Sequence, residues 1–136
     1  MKTIRYFILC CTMLCTHHLM AQTPGKNMKA ANNYSVEIIR YTIAPDQQDN
    51  FEKAYSEAGK FLQASPYCLG YEVIHGEEEP SNYIVTICWT SKEDHLNGFR
   101  KSSDFGGFFQ LVRPFFANIG EMKHYNHTAI TWKKEK

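Results

Sequence analysis

The 136-residue chain has little of what marks many function classes. It has no excess of one charge: 15 Lys and Arg stand against 14 Asp and Glu. No basic stripe arises from that balance, so nucleic acid is not an expected partner. Phosphate loops, nucleophile elbows, helical zinc signatures and dinucleotide fingerprints are all missing (no G-x-x-x-x-G-K-[ST], G-x-S-x-G, H-E-x-x-H or G-x-G-x-x-G). Gly106–Gly107 is too short, and too flanked by phenylalanine, to cradle a phosphate. Only five cysteines occur, and Cys10, Cys11 and Cys15 lie within the first 21 residues, leaving Cys68 and Cys88.

Residues 1–21 hold the one long apolar stretch. A basic start (Lys2, Arg5), an apolar run from Tyr6 to Cys15 and a small residue at Ala21 form a secretory signal pattern, cut between Ala21 and Gln22. The run is too short for a stable membrane anchor, and His17–His18 interrupts its end. The expected address is exported, periplasmic or secreted, in a bacterium. Loss of Lys2 and Arg5 leaves 13 basic against 14 acidic residues. Export makes one disulfide between Cys68 and Cys88 an expectation. Residues 22–33 are polar and aperiodic and read as a flexible arm; residues 133–136 read as a basic tail.

Between them, residues 34–132 form one domain. Tyr34 to Ala44 is rich in Val, Ile, Thr and Tyr, with apolar residues on both faces, as in a strand covered on both sides. Pro45 opens a helix whose apolar stripe is Phe51, Ala54, Tyr55, Ala58, Phe61 and Leu62; Ser65–Pro66 ends it. Tyr67 to His75 and Asn82 to Trp89 form a hairpin around the acidic loop Glu77–Glu78–Glu79. Centring that loop on Glu78 sets Cys68 opposite Cys88, and puts Leu69, Tyr71, Val73 and His75 on one face with Tyr83, Val85, Ile87 and Trp89. That face is the more aromatic and is expected beneath the helices.

Two helical pieces come next, from Ser91 to about Ala117. The first carries Leu96 and Phe99; the second carries Phe105, Phe108, Phe109 and Val112 at i, i+3, i+4, i+7. Pro114 predicts a break, and Gly120 a helix end. Glu121 to Trp132 reads as the last strand. The order βαββαβ predicts an α+β, ferredoxin-like domain with an antiparallel sheet.

The strand-ending Trp89, the short turn containing Ser91, the helix after it and the step Ser102 to Phe105 together resemble the antibiotic biosynthesis monooxygenase family, small proteins of the dimeric α/β-barrel type. The resemblance covers roughly Tyr34 to Trp132. It implies a homodimer with two sheets packed face to face, and cofactor-free oxidation of electron-rich phenols or hydroquinones by dioxygen. Many members carry a histidine on the first helix; its nearest matching position here is Gly98 or Phe99, and His95 lies one turn earlier. On this basis Trp89, His124 and Arg100 are the candidate catalytic residues, and Tyr71, Tyr83, Phe99 and Phe108 line the expected pocket for a small aromatic molecule. Two alternatives stand beside this reading: a non-catalytic ligand-binding barrel of the cell envelope, and a haem-binding or haem-degrading relative. His75, His95, His124 and His127 lack the spacing of a metal site, so no metal is expected.

Overall fold

The computed structural model describes residues 33–134. The expected signal segment, nearly all of the arm and the last two residues of the tail lie outside that range. Strand β1 is Ser35–Thr42. A single 3₁₀ turn, Pro45–Gln47, leads into helix α1, Gln48–Ala64. Strands β2 (Cys68–His75) and β3 (Asn82–Trp89) form the hairpin. A π-helical turn (Asp94–Gly98), a 3₁₀ turn (Phe99–Lys101) and helix α2 (Ser103–Val112) come after it. A third 3₁₀ run, Arg113–Asn118, carries the chain into strand β4, Ile119–Asn126. No helix among the described residues is long and apolar enough to cross a membrane.

The four strands form one antiparallel sheet in the order β2-β3-β1-β4, the ferredoxin-like arrangement expected from the element order. The helices cover one face only. On β1 the covered face is Ser35, Glu37, Ile39 and Tyr41, all buried, while Val36 and Ile38 on the other face are half-buried. The core centres on Phe51, whose ring lies 4.8–5.2 Å from Tyr41, Tyr55, Tyr83 and Phe115. Such tilted and edge-on aromatic pairs are favourable beyond the area they bury. Helices α1 and α2 approach closely at Gly107, where a Cβ would stand 2.3 Å from the Phe61 ring. The absence of a side chain there is what lets the two helices meet.

Three expectations need correction. The hairpin centres one residue later than Glu78, so Tyr71 faces Ile87 and Val73 faces Val85. A two-residue shift in pairing keeps every side chain on its expected face. A bulge between Cys68 and Gly70, however, leaves Leu69 exposed and sets Cys68 against Trp89 and Gly70 against Cys88. The two thiols are therefore not directly opposed, and both are free. Second, β4 begins at Ile119 and ends at Asn126, so Gly120 is a strand residue, while 127–132 fall outside any strand. Third, the first helical piece buries His95 and Phe99, with Leu96 only half-buried. The break expected at Pro114 is present, since α2 stops at Val112.

The register makes a simple prediction. Thiol titration of the purified protein, unfolded without reductant, should find two free thiols per chain. Finding none would restore a Cys68–Cys88 bridge.

Candidate functional site

The candidate site lies at the end of the sheet where β3 hands the chain to the helices. Glu37, on β1, is 3% exposed, a rare state for a carboxylate side chain. The alternation of the strand places it there: it shares the covered face with Ile39 and Tyr41. Across β1 and β4 it pairs directly with His124. From the other side the Trp89 indole Nε1–H donates to its Oε2 at 3.1 Å.

The helical segment supplies the fourth member. Ser91 Oγ accepts from the Asp94 amide, and Thr90 Oγ1 donates to the Asp94 carboxylate, which caps the turn. The Phe99 amide then reaches back to the carbonyls of Asp94 and His95, a five-residue step that widens the turn. This π-type widening directs His95 inward, 5% exposed and flat on Trp89, with centroids 4.3 Å apart and planes 5° from parallel. Single π turns are often found at functional sites. His95 Nδ1 lies 2.7 Å from His124 Nε2 and 3.7 Å from Glu37 Oε2.

Burial sets the protonation of this cluster. Desolvation pushes the Glu37 carboxyl up from 4.5 to about 7, against the Trp89 hydrogen bond and the Arg100 guanidinium, which both favour the anion. Desolvation also drives His95 down to about 3, reinforced by His124 and Arg100. His124 is lowered too, first by its partial burial and then by Lys92 and Arg100. The 3.7 Å contact between His95 and Glu37 therefore joins a neutral imidazole to a carboxyl poised near neutrality; it is not an ion pair at pH 7.

Next to the cluster is an aromatic-walled cavity of about 30 Å³, lined by Glu37, Trp89, His95, Phe99, Arg100, Phe105, Phe108 and Met122 among others. That is room for about one water molecule. Tyr41 and Tyr55 also line it, and their hydroxyls meet at 2.7 Å in the interior. Burial pushes Tyr41 up to about 12 and Tyr55 upward as well, so both remain protonated donors.

Trp89, Arg100, Phe99 and Phe108 thus gather where the sequence placed them, and His124 touches the same cluster through His95. Tyr71 and Tyr83 do not. They line a separate cleft with Glu52, Ser56 and His75, where the Tyr83 hydroxyl donates to Glu52 at 2.7 Å. Tyr83 sits at the far end of β3 from Trp89, and Tyr71 on the edge strand β2, separated from β1 and Glu37 by β3. Glu37 escaped the sequence reading, and His95 entered it only as a histidine one turn before the family's position and as a metal ligand set aside by its spacing. A signal for Glu37 was present, as a lone acid in a β-branched strand at even spacing from Ile39 and Tyr41. His95 had only its nearness to the family's histidine position, because its direction depends on the widened turn.

The comparisons with known proteins agree with this architecture. The family described as antibiotic biosynthesis monooxygenase matches residues 35–111. A curated relative, the uncharacterized protein YczJ of Bacillus subtilis, is 24% identical over 89 residues, covering 65% of this chain and 94% of YczJ. A solved structure from Bordetella bronchiseptica, described by the same family name, is 24% identical with a TM-score of 0.63, covering 71% of this chain and 98% of its own. SnoaB of Streptomyces nogalater, described as a cofactor-independent oxygenase, is 17% identical with a TM-score of 0.55, covering 76% and 99%. At these identities the structural likeness is one of fold.

The buried carboxyl predicts a pH signature. A raised folded pKa gives stability that is full below the unfolded value of 4.5 and is lost as pH rises through about 7. Glu37→Gln keeps an acceptor for Trp89 but cannot ionise. Its stability relative to the wild type should therefore rise between pH 4.5 and pH 8, by roughly 3 kcal/mol. His95 acts with the opposite sign, its contribution being lost as pH falls toward about 3, but it cancels between the two proteins. Chemical denaturation across that range checks the difference; a pH-independent gap would show that folding does not raise the Glu37 carboxyl.

Proposed function

The chain belongs to the antibiotic biosynthesis monooxygenase family, and from that premise we propose that it oxidises a small electron-rich aromatic molecule with dioxygen and without a bound cofactor. The observation that carries the proposal is the cluster of Trp89, Glu37, His95 and His124 at the edge of an aromatic cavity. A phenol or hydroquinone becomes a far better electron donor once deprotonated, and its anion is then the reductant of dioxygen. The protein has to bind the ring, take the proton and keep water out. The Glu37 carboxylate, raised to about 7, is the matched proton acceptor, the neutral imidazoles of His95 and His124 can orient the hydroxyl by hydrogen bonding, and Arg100 stands beside them as a cation for the phenolate. Phe99, Phe105 and Phe108 supply apolar walls, and the paired hydroxyls of Tyr41 and Tyr55 leave one O–H between them to donate.

The cavity of about 30 Å³ does not hold a six-membered ring as it stands. Binding therefore requires the wall formed by the π turn and α2 to move outward. That wall is built from adaptable contacts, with Arg100 lying 5.4 Å over the Phe105 ring at the surface.

The test is oxygen uptake with a panel of hydroquinones, aerobic against anaerobic, with no cofactor added. The wild type should consume dioxygen with at least one of them. Glu37→Gln should slow turnover by about 10²–10⁴-fold, the usual contribution of a positioned acid–base group. Trp89→Phe should lower turnover while the melting temperature moves less than for Trp89→Ala, a change of a type that costs about 3–5 kcal/mol in a packed core. Quenching of Trp89 fluorescence without any oxygen uptake would sink the enzymatic reading and leave a ligand-binding barrel.

The same reading includes a homodimer. The uncovered sheet face exposes Ile74 and Tyr125 and carries half-buried Val36 and Ile38, with Glu72 and Thr86 between. An apolar sheet face left open on a domain of about 100 residues gains stability when a second copy covers it. Light scattering at micromolar concentration should report twice the chain mass, and a clean monomer would remove this part of the proposal. The leader-like residues 1–21 support export of the mature chain, which the intact mass of protein from the envelope fraction, starting at Gln22, would test.

A further inference from the structure

We propose that Glu37, His95 and His124 form a binding site for one divalent transition-metal ion of the zinc class. The proposal goes beyond the oxidase reading and does not depend on it. The three side chains come from three separate elements, β1, the π turn and β4, and each directs one donor atom at a common point. All three donors lie within 4.8 Å of one another. His95 Nδ1 is 2.7 Å from His124 Nε2 and 3.7 Å from Glu37 Oε2. Ligands at ~2.0–2.1 Å from a tetrahedral ion are about 3.3 Å apart. These two edges bracket that spacing and no edge exceeds 4.8 Å, so opening the imidazole pair and drawing Glu37 and His124 together complete the triangle. His124 is the member free to make the adjustment, being half-buried on the edge strand.

Two further features suit an ion. Two imidazoles and one carboxylate are a three-ligand set that leaves a position open, as in zinc sites that also hold water. The cavity bordering Glu37 and His95 has room for that water. The Trp89 indole N–H already holds the Glu37 carboxylate from outside, and stacking on Trp89 fixes the plane of His95. Outer partners of this kind orient ligands before an ion arrives. Arg100 and Lys92 are the cations facing the cluster and oppose a further positive charge. Arg100 is exposed and lies over Phe105, so it can turn away toward solvent.

Binding moves the hydrogen shared between the two imidazoles to the other ring nitrogen of the histidine that carries it, and releases any proton on Glu37 to solvent; no electron moves. An ion held there occupies the lone pairs that the proposed oxidation needs, so zinc should inhibit turnover.

The experiment is calorimetric titration of chelator-treated protein with Zn²⁺ alone, repeated with Co²⁺ and read by visible absorption. The wild type should take up one ion per chain, and Co²⁺ should show the intense ligand-field bands of a four- or five-coordinate site. His124→Asn, on an edge strand where the fold tolerates it, and Glu37→Gln should each weaken uptake at least about tenfold. His75→Asn, outside the cluster, should bind as the wild type does. Zinc should also raise the melting temperature of the wild type and not of His124→Asn. Absence of stoichiometric uptake, or uptake that survives both cluster substitutions, overturns the proposal. Because every readout is binding or stability, the result stands whether or not any hydroquinone is oxidised.

Discussion

A single hydrogen bond from the Trp89 indole to the Glu37 carboxylate holds together the most costly part of this molecule. A carboxyl group taken out of water without a partner is strongly destabilising. Here it is enclosed on a central strand, beneath helices, in the same layer as Ile39 and Tyr41. The indole N–H, the two imidazoles and the nearby guanidinium are what make that burial tolerable, and each is supplied by a different part of the chain. β3 must end on tryptophan, the turn after it must bring a histidine back, and β4 must return alongside β1 to present His124 opposite Glu37.

The covered face of the sheet is divided accordingly. At one end, Phe51 and the rings around it form an interlocked aromatic core with every hydroxyl accounted for: Tyr41 with Tyr55, and Tyr83 with Glu52. At the other, Trp89, His95 and Phe99 surround a carboxyl whose proton is exchangeable near neutral pH. Close packing fixes the first region, while the second carries polar groups that a purely structural core would exclude. The Tyr41–Tyr55 pair marks the boundary, belonging to the aromatic core on one side and to the cavity wall on the other.

How much of this was legible depends on how local each signal is. Strand β3 was readable to the residue, since Asn82 to Trp89 alternates and is bounded by Pro80 and Ser91. The α1 stripe, the break before Pro114 and the ferredoxin-like order were equally plain, because each depends on spacing or on proline stereochemistry. Trp89, Phe99 and Phe108 were found through the family resemblance together with their positions at element ends and on an apolar stripe. The hairpin pairing missed because loop length does not reveal a bulge, and the bulge beside Cys68 removed the cysteine alignment. Tyr71 and Tyr83 were placed in the pocket on face alone, whereas distance along β3 removes Tyr83 and distance across the sheet removes Tyr71. The histidines were dismissed as metal ligands by spacing in the chain, yet His95 and His124 lie 29 residues apart and meet only through the sheet.

The widened turn at Asp94–Gly98 has an implication for how this site could be gained or lost. A π turn is an ordinary helical turn carrying one extra residue. Removing a residue from it restores the tighter winding and rotates the upstream side chains by about 100° relative to the downstream ones. Phe99 and α2 would remain seated on the sheet, whereas the imidazole of His95 would swing off Trp89 toward solvent. The cluster of Trp89, Glu37, His95 and His124 is thus separable from foldedness by a single codon: an indel, rather than a substitution, is the genetic step that would dismantle it, or build it, while the sheet and helices stay in place.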